Sequence, residues 1–264
     1  DELAYYKFHK DYKQIYRTVS YGKSYMQDGY IGVPDALINE AKALIPEIEE
    51  AASILLYPIN ASLKYKDEKL YEDKVLITDP NFFNLFDFEI IAGDIKTVSK
   101  NPNTIIITET LATKLFGEEN PVNNSIESDG EIFTVGMVIE DPPVNSSFDF
   151  RLILPYSYFF TSGKLGWSSY MTASFFKIKE GADLKKIENQ LTEIAKKNES
   201  TQVLEAGVEF KLQPLAEIHT DNYHGRFLPY LRLIDRNIIR IFLAISLTIL
   251  VLAIINYVNL ATAN

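Results

Sequence analysis

NTIIITETLATKLFGEENPVNNSI, residues 103–126, contains a strand, a helix and a turn in direct succession. Thr104-Ile105-Ile106-Ile107 is β-branched at every position and reads as a buried strand. Thr108 is placed to cap a helix over Glu109–Phe116, and Gly117 to stop it. Asn120-Pro121 then turns the chain. Downstream, EIFTVGMVI at Glu131–Ile139 is the strongest strand signal in the sequence, and Asp141-Pro142-Pro143 breaks it. Another strand is expected to begin within Phe148–Leu154.

The flanks repeat the alternation of strand and helix. Ile15–Tyr21 is β-branched and aromatic, as a strand should be. Pro34-Asp35 opens a helix whose apolar positions Leu37, Ala41, Leu44, Ile45 and Ile48 keep helical spacing, with Pro46 expected to end it early. Strand-like runs follow around Ala52–Asn60 and Lys74–Thr78. A phenylalanine-rich run then holds Phe82, Phe83, Phe86 and Phe88 and closes at Gly93-Asp94. Aromatic side chains dominate cores, so this run is expected to pack around a turn. Beyond the centre, Ser174–Lys179 reads as a strand, and Leu184, Ile187, Leu191 and Ile194 form one face of a helix. Val208–Leu212 closes the series with a strand. The pattern predicts an α+β domain, with strand–helix–strand units at both ends and a β-rich piece between them.

The C-terminal segment is of another kind. IIRIFLAISLTILVLAII, Ile238–Ile255, is interrupted only by Arg240, Ser246 and Thr248. A helix of roughly 20 mostly apolar residues crosses a bilayer core. One continuous membrane-spanning helix is therefore expected from about Asp235 to Ala261, with Arg240 near enough to its start to snorkel. The chain opens at Asp1 without methionine or signal pattern, and both ends read as cuts in a longer protein.

Composition removes several classes of function. Up to Asp235 the chain carries 24 basic and 36 acidic side chains, a net −12, which repels nucleic acid and anionic lipid. The absence of cysteine excludes disulfides, thiolate metal sites and cysteine nucleophiles together. Three histidines, His9, His219 and His224, are too few for a supported zinc site, and His219 is expected to make a structural hydrogen bond beside Gln213-Pro214. Neighbouring acids such as Glu140-Asp141 point to opposite faces of a strand and read as solvated surface. Ser146-Ser147 and Ser168-Ser169 lack a nucleophile-elbow pattern, and there is no phosphate-binding GxxxxGK[ST] loop. No catalytic, cofactor or metal residue is assigned. Tyr156, Tyr158, Phe159, Phe160 and Trp167 lie in a Ser/Gly-rich stretch and are the candidates for an exposed partner or substrate contact.

Five segments, in order, resemble the extracytoplasmic core domain of FtsX-like and MacB-like ABC transporter permeases. They are FHKDYKQIYRTV (Phe8–Val19), TDPNFFNLFDFEIIAGD (Thr78–Asp94), Asn103–Ile126 continued by FTVGMVIEDPPVNSSFDF (Phe133–Phe150), LQPLAEIH (Leu212–His219) and INYVNLATA (Ile255–Ala263). The resemblance implies a porter-like subdomain over residues 1–101 and 173–235, with a sabre-like subdomain inserted at 102–172. It makes residues 236–262 the second span of the permease. It also implies a domain on the periplasmic side of a bacterial inner membrane, a separate cytoplasmic ATPase, a permease dimer, and an external adaptor or a peptide or lipoprotein substrate. One departure is Gly136-Met137-Val138, where relatives commonly carry a second glycine or Gly-Val. Arg226, Arg232, Arg236 and Arg240 cluster on the side assigned as external, but charge counting loses force beside a long translocated domain. The rival reading is an extracytoplasmic sensory domain, which would need a ligand pocket with convergent polar groups.

Overall fold

The computed structural model describes residues 5–23, 26–159, 166–167, 169–198, 207–220 and 231–262. The strands are β1 (Ile15–Tyr21), β2 (Ile48–Leu55), β3 (Ala61–Tyr65), β4 (Glu68–Glu72), β5 (Val75–Thr78), β6 (Ile90–Gly93), β7 (Thr104–Thr108), β8 (Ser125–Ser128), β9 (Glu131–Ile139), β10 (Leu152–Pro155), β11 (Thr172–Ile178) and β12 (Glu209–Pro214). The helices are α1 (Asp35–Leu44), α2 (Phe82–Leu85), α3 (Ile95–Lys100), α4 (Glu109–Phe116), α5 (Tyr156–Phe159), α6 (Leu184–Asn198), α7 (Leu215–Ile218) and α8 (Arg236–Thr262).

All the strands join one mixed sheet in the order β12-β1-β11-β2-β5-β10-β7-β9-β8-β3-β4, with β6 also paired to β9. The expected pairing of the strand near Ser174 with β1 is present, through Ile15 opposite Lys177 and Tyr16 opposite Phe176. The sheet narrows in the middle, where β2 meets β5 through one aligned pair, Ile54 and Thr78. The chain ends of the sheet are β12 on one side and the short, charged β4 on the other.

Successive side chains on a strand point to opposite faces, and here both faces are apolar. On one face, Ile15, Ile54, Leu76, Ile106, Ile139, Ile153 and Phe175 pack in a single cluster with Phe82, Phe86, Phe148 and Phe150. This cluster runs across the narrow middle. The opposite face carries two separate cores. Ile105, Ile107, Val135, Leu152 and Leu154 are covered by Leu111 and Leu115 of α4. Phe176, Ile178 and Phe210 are covered by Leu37 and Ala41 of α1 and by Ile187 and Leu191 of α6. The phenylalanine run thus packs around a turn, with Phe82 and Phe86 fully buried.

Local details depart from the sequence pattern in several places. The helix after Pro34 ends at Leu44, which is exposed, and Ile48 begins β2. The hairpin β3–β4, strand β8 and helix α3 were not expected, and the strand placed at Phe148–Leu154 occupies only Leu152–Pro155. Thr108 precedes α4 but makes no capping bond, and its Oγ1 is buried without a partner. The first turn is capped from outside the helix. Asp141 Oδ2 accepts from Thr110 N at 3.0 Å and from Thr110 Oγ1 at 2.7 Å, and its negative charge suits the helix start. Gly117 does end α4, at φ 62°. Gly93, at φ 87°, lies so close to β9 that an added Cβ would sit 2.2 Å from the Gly136 carbonyl oxygen, which explains a glycine there.

α8 is a single helix, as expected, and its side chains from Arg240 onward are exposed. Asn237–Thr262 is long and apolar enough to span a membrane. Ser246 and Thr248 turn their hydroxyls back to the carbonyls of Phe242 and Ala244, so they add little polarity to its surface.

Candidate functional site

The base from which α8 departs is where four separate stretches of chain meet. α7 is followed by His219, whose ring is buried and stacked on Tyr5, with centroids 3.3 Å apart and planes 10° from parallel. His219 Nδ1 lies 3.0 Å from the Arg232 carbonyl oxygen and 3.2 Å from Ser147 Oγ. Arg232 N donates to the Ser147 carbonyl at 2.6 Å, and Ile234 N to the His219 carbonyl at 2.9 Å. Tyr6 N donates to the Asn145 carbonyl at 3.0 Å, tying the N-terminal stretch to the same loop. The strand ends of the chain are therefore locked to residues 143–149 immediately before the apolar helix begins.

Charge strengthens the joint. Arg232 Nη2 donates to Asp149 Oδ1 at 2.7 Å and Nη1 to the Pro143 carbonyl at 3.2 Å. Lys74 Nζ reaches Asp149 Oδ2 at 2.7 Å. Partial burial by itself would raise the Asp149 pKa, but the bonds from Arg232 and Lys74 outweigh it and hold the carboxyl below its usual range. Asp149 thus remains a carboxylate bridging two cations, and such charge-assisted bonds are stronger and more directional than neutral ones.

The Ser147–His219 pair has the composition of a nucleophile and base, but not the proton arrangement. A carbonyl oxygen only accepts, so the Arg232 carbonyl fixes the proton on His219 Nδ1. That nitrogen then has no lone pair with which to take a proton from Ser147. Ser147 is also fully buried. The pair is a structural clamp. The structural hydrogen bond expected of His219 is thus present, with partners 72 and 13 residues away in sequence that carry no local signal.

The residues singled out from the sequence are placed as follows. Tyr156 is buried at the start of α5, where its hydroxyl donates to Asp35 Oδ1 at 2.8 Å and lies 2.8 Å from Thr172 Oγ1. It therefore joins the two halves of the sheet and is not part of an open patch. Trp167 is half-buried and packs against the α1–α6 core. Tyr158 and Phe159 belong to α5, but their side chains, together with Phe160, lie outside the described residues, as does His224. His9 is buried among Phe8, Phe86 and Phe88, and its Nδ1 accepts from Asp87 N at 3.0 Å. Among the described residues no three metal-ligating side chains come together.

A mixed sheet with α1, α4 and α6 on one face, a phenylalanine core on the other and an apolar helix leaving its base can be compared with known proteins. The sequence pattern of the MacB-like periplasmic core domain matches residues 4–194. The chain belongs to the MacB-like periplasmic core domain family. Solved structures with the same fold include a domain of a putative permease protein from Porphyromonas gingivalis, at 21% identity and a TM-score of 0.67, covering 78% of this chain and 92% of that one. The periplasmic region of MacB from Actinobacillus actinomycetemcomitans is similar at 15% identity and a TM-score of 0.55, over 78% of this chain and 90% of its own. The extracellular domain of the noncanonic ABC-type transporter YknZ from Gram-positive bacteria gives 11% identity and a TM-score of 0.53, over 75% and 99%. A comparison with curated protein sequences gives no match. The MacB-like domain is thus the extracytoplasmic part of a permease-type membrane protein, and α8 is its candidate span.

Proposed function

We propose that this domain relays, outside the membrane, a conformational change driven by ATP hydrolysis on a separate cytoplasmic subunit. The observation that carries the reading is the joint at the base. The apolar α8 follows directly on residues 231–235, which are fastened to the phenylalanine face through His219, Ser147 and the Arg232–Asp149 pair. A displacement of the span would be passed to the sheet as a whole, because charge-assisted bonds and stacked rings resist local slip. On this reading the protein sits in a bacterial inner membrane as a permease dimer. It acts on an adaptor, peptide or lipoprotein on the periplasmic side. Residues 102–172 form an inserted body between porter-like parts at 1–101 and 173–235. The hairpin β3–β4 and β5 would travel with the insert, since they share its hydrophobic cluster.

The test uses the intact transporter with its ATPase. The chain has no cysteine, so Lys64→Cys on β3 and Lys196→Cys on α6 give two unique, exposed labelling sites. Spin-label distances between them, measured with and without ATP, should shift during turnover. An unchanged distance distribution in a transporter that still works would sink the relay.

A further inference from the structure

Beyond the base, the structure holds a cleft of about 300 Å³ at the narrow middle of the sheet, between α3, α5 and the ends of β5, β7 and β10. Its walls are apolar, with Phe83, Val98, Ile106 and Ile153 among them, and its volume falls at the small end of ligand sites. One charged side chain lines it, Asp79. That carboxyl is held in place by two backbone donors, Ser53 N to Oδ2 at 2.7 Å and Asn81 N to Oδ1 at 2.8 Å. Among the described residues no lysine, arginine or histidine forms an ion pair with it. Burial raises its pKa, as expected for an acid with no cation nearby. The side chains of Ser53 and Asn81 donate to it as well, so the carboxyl is met by neutral donors but by no positive charge. A half-buried carboxylate held only by neutral donors is still stabilised further by a counter-charge, which cancels the cost of taking its charge out of water.

We infer that this cleft binds a small organic amine, with its ammonium group on the Asp79 carboxylate and an apolar body of roughly a dozen non-hydrogen atoms along Phe83, Val98 and Ile153. Charge complementarity selects the cation. An anionic ligand would meet Asp79 head-on, and a purely apolar one would leave it unpaired. The domain's net charge of −12 up to Asp235 also raises the local concentration of cations. Tyr156 lines the same cleft while its hydroxyl bonds to Asp35 and Thr172, so an occupant would touch both halves of the sheet at once. The assignment does not depend on the relay.

The probe is 4-fluorophenethylamine, followed by fluorine NMR against the chain in lipid nanodiscs, with empty nanodiscs as the blank and 2-(4-fluorophenyl)ethanol as the uncharged analogue. The amine should bind saturably and at least tenfold more tightly than the alcohol. Asp79→Asn should remove that preference. Ser99→Trp, which places bulk from the exposed side of α3 at the cleft, should abolish binding without touching the carboxyl. If Asp79→Asn fails to fold, the alcohol comparison and Ser99→Trp still decide. The inference is overturned by amine binding no greater than to empty discs, by equal binding of amine and alcohol, or by undiminished binding to Ser99→Trp.

Discussion

The two faces of the sheet are built from the same strands yet connect its halves in different ways. On the face of Phe82 and Phe148 one apolar cluster passes uninterrupted across the narrow middle, drawing residues from β1, β2, β5, β7, β9, β10 and β11. On the face of α1, α4 and α6 the apolar surface divides into two cores. There the halves are linked by a polar contact, the Tyr156 hydroxyl with Asp35 and Thr172. Apolar packing is non-directional and costly to separate, whereas a hydrogen bond can be exchanged for one to water. The first face should therefore act as the fixed side of the joint and the second as the side that can open.

The largest effect that would sharpen this contrast is expected from Phe82→Ala. Phe82 is fully buried and meets Phe83, Phe86, Phe88, Phe148 and Phe150. Its truncation should cost about 3–5 kcal/mol and lower the denaturation midpoint of both halves together. Loss of structure in one half alone, seen by hydrogen exchange, would break the idea of a shared fixed face.

A somewhat smaller effect is expected from acid, again on the first face. Burial depresses His9 from its ordinary value to about 4, with Asp87 only partly opposing. Between pH 6.5 and 4 the unfolded chain binds a proton at His9 that the folded chain refuses. Stability should consequently fall as pH drops through that window, by up to roughly 3 kcal/mol. Urea midpoints at pH 7 and pH 4.5, with His9→Gln as the control, measure it. An unchanged slope in the variant would remove His9 as the cause.

The smallest effect belongs to the second face. Tyr156→Phe keeps the ring and deletes the bonds to Asp35 and Thr172, so it should cost about 1–2 kcal/mol. Amide exchange should quicken at α1 and at the start of β11 while the phenylalanine face stays protected. Equal loss of protection on both faces would show that they do not differ in this way.

What was legible in the sequence follows the same division. β7, α4 and β9 were readable because their signals are local: a β-branched run, a helix closed by Gly117, and a long apolar strand broken by prolines. The hairpin β3–β4 was missed because each strand is only five residues long and EKLYE, at the border of the sheet, is mostly charged. The cap of α4 was assigned to Thr108 and is supplied by Asp141, 31 residues away in sequence. The clamp at the base was hidden for the same reason: Ser147, Arg232 and His219 were each noticed singly, and no short-range pattern joined them to one another or to Asp149. Aromatic content pointed to a surface at Tyr156, but whether a phenol faces solvent depends on neighbours such as Asp35 that are 121 residues distant.

The open ends of the sheet bear on how copies of this protein can stand beside one another. β4, at one end, presents Glu68 and Lys69, and the turn before it is pinned when Lys66 Nζ meets Glu119 at 2.6 Å. β12, at the other end, alternates Glu209 and Lys211 with buried residues and stops at Pro214. Unpaired backbone at a sheet border invites another chain to add a strand, and charge with proline discourages it. Proteins confined to a membrane plane meet at far higher effective concentration than in solution. Borders of this kind let neighbouring copies collide edge to edge without fusing into continuous β-structure.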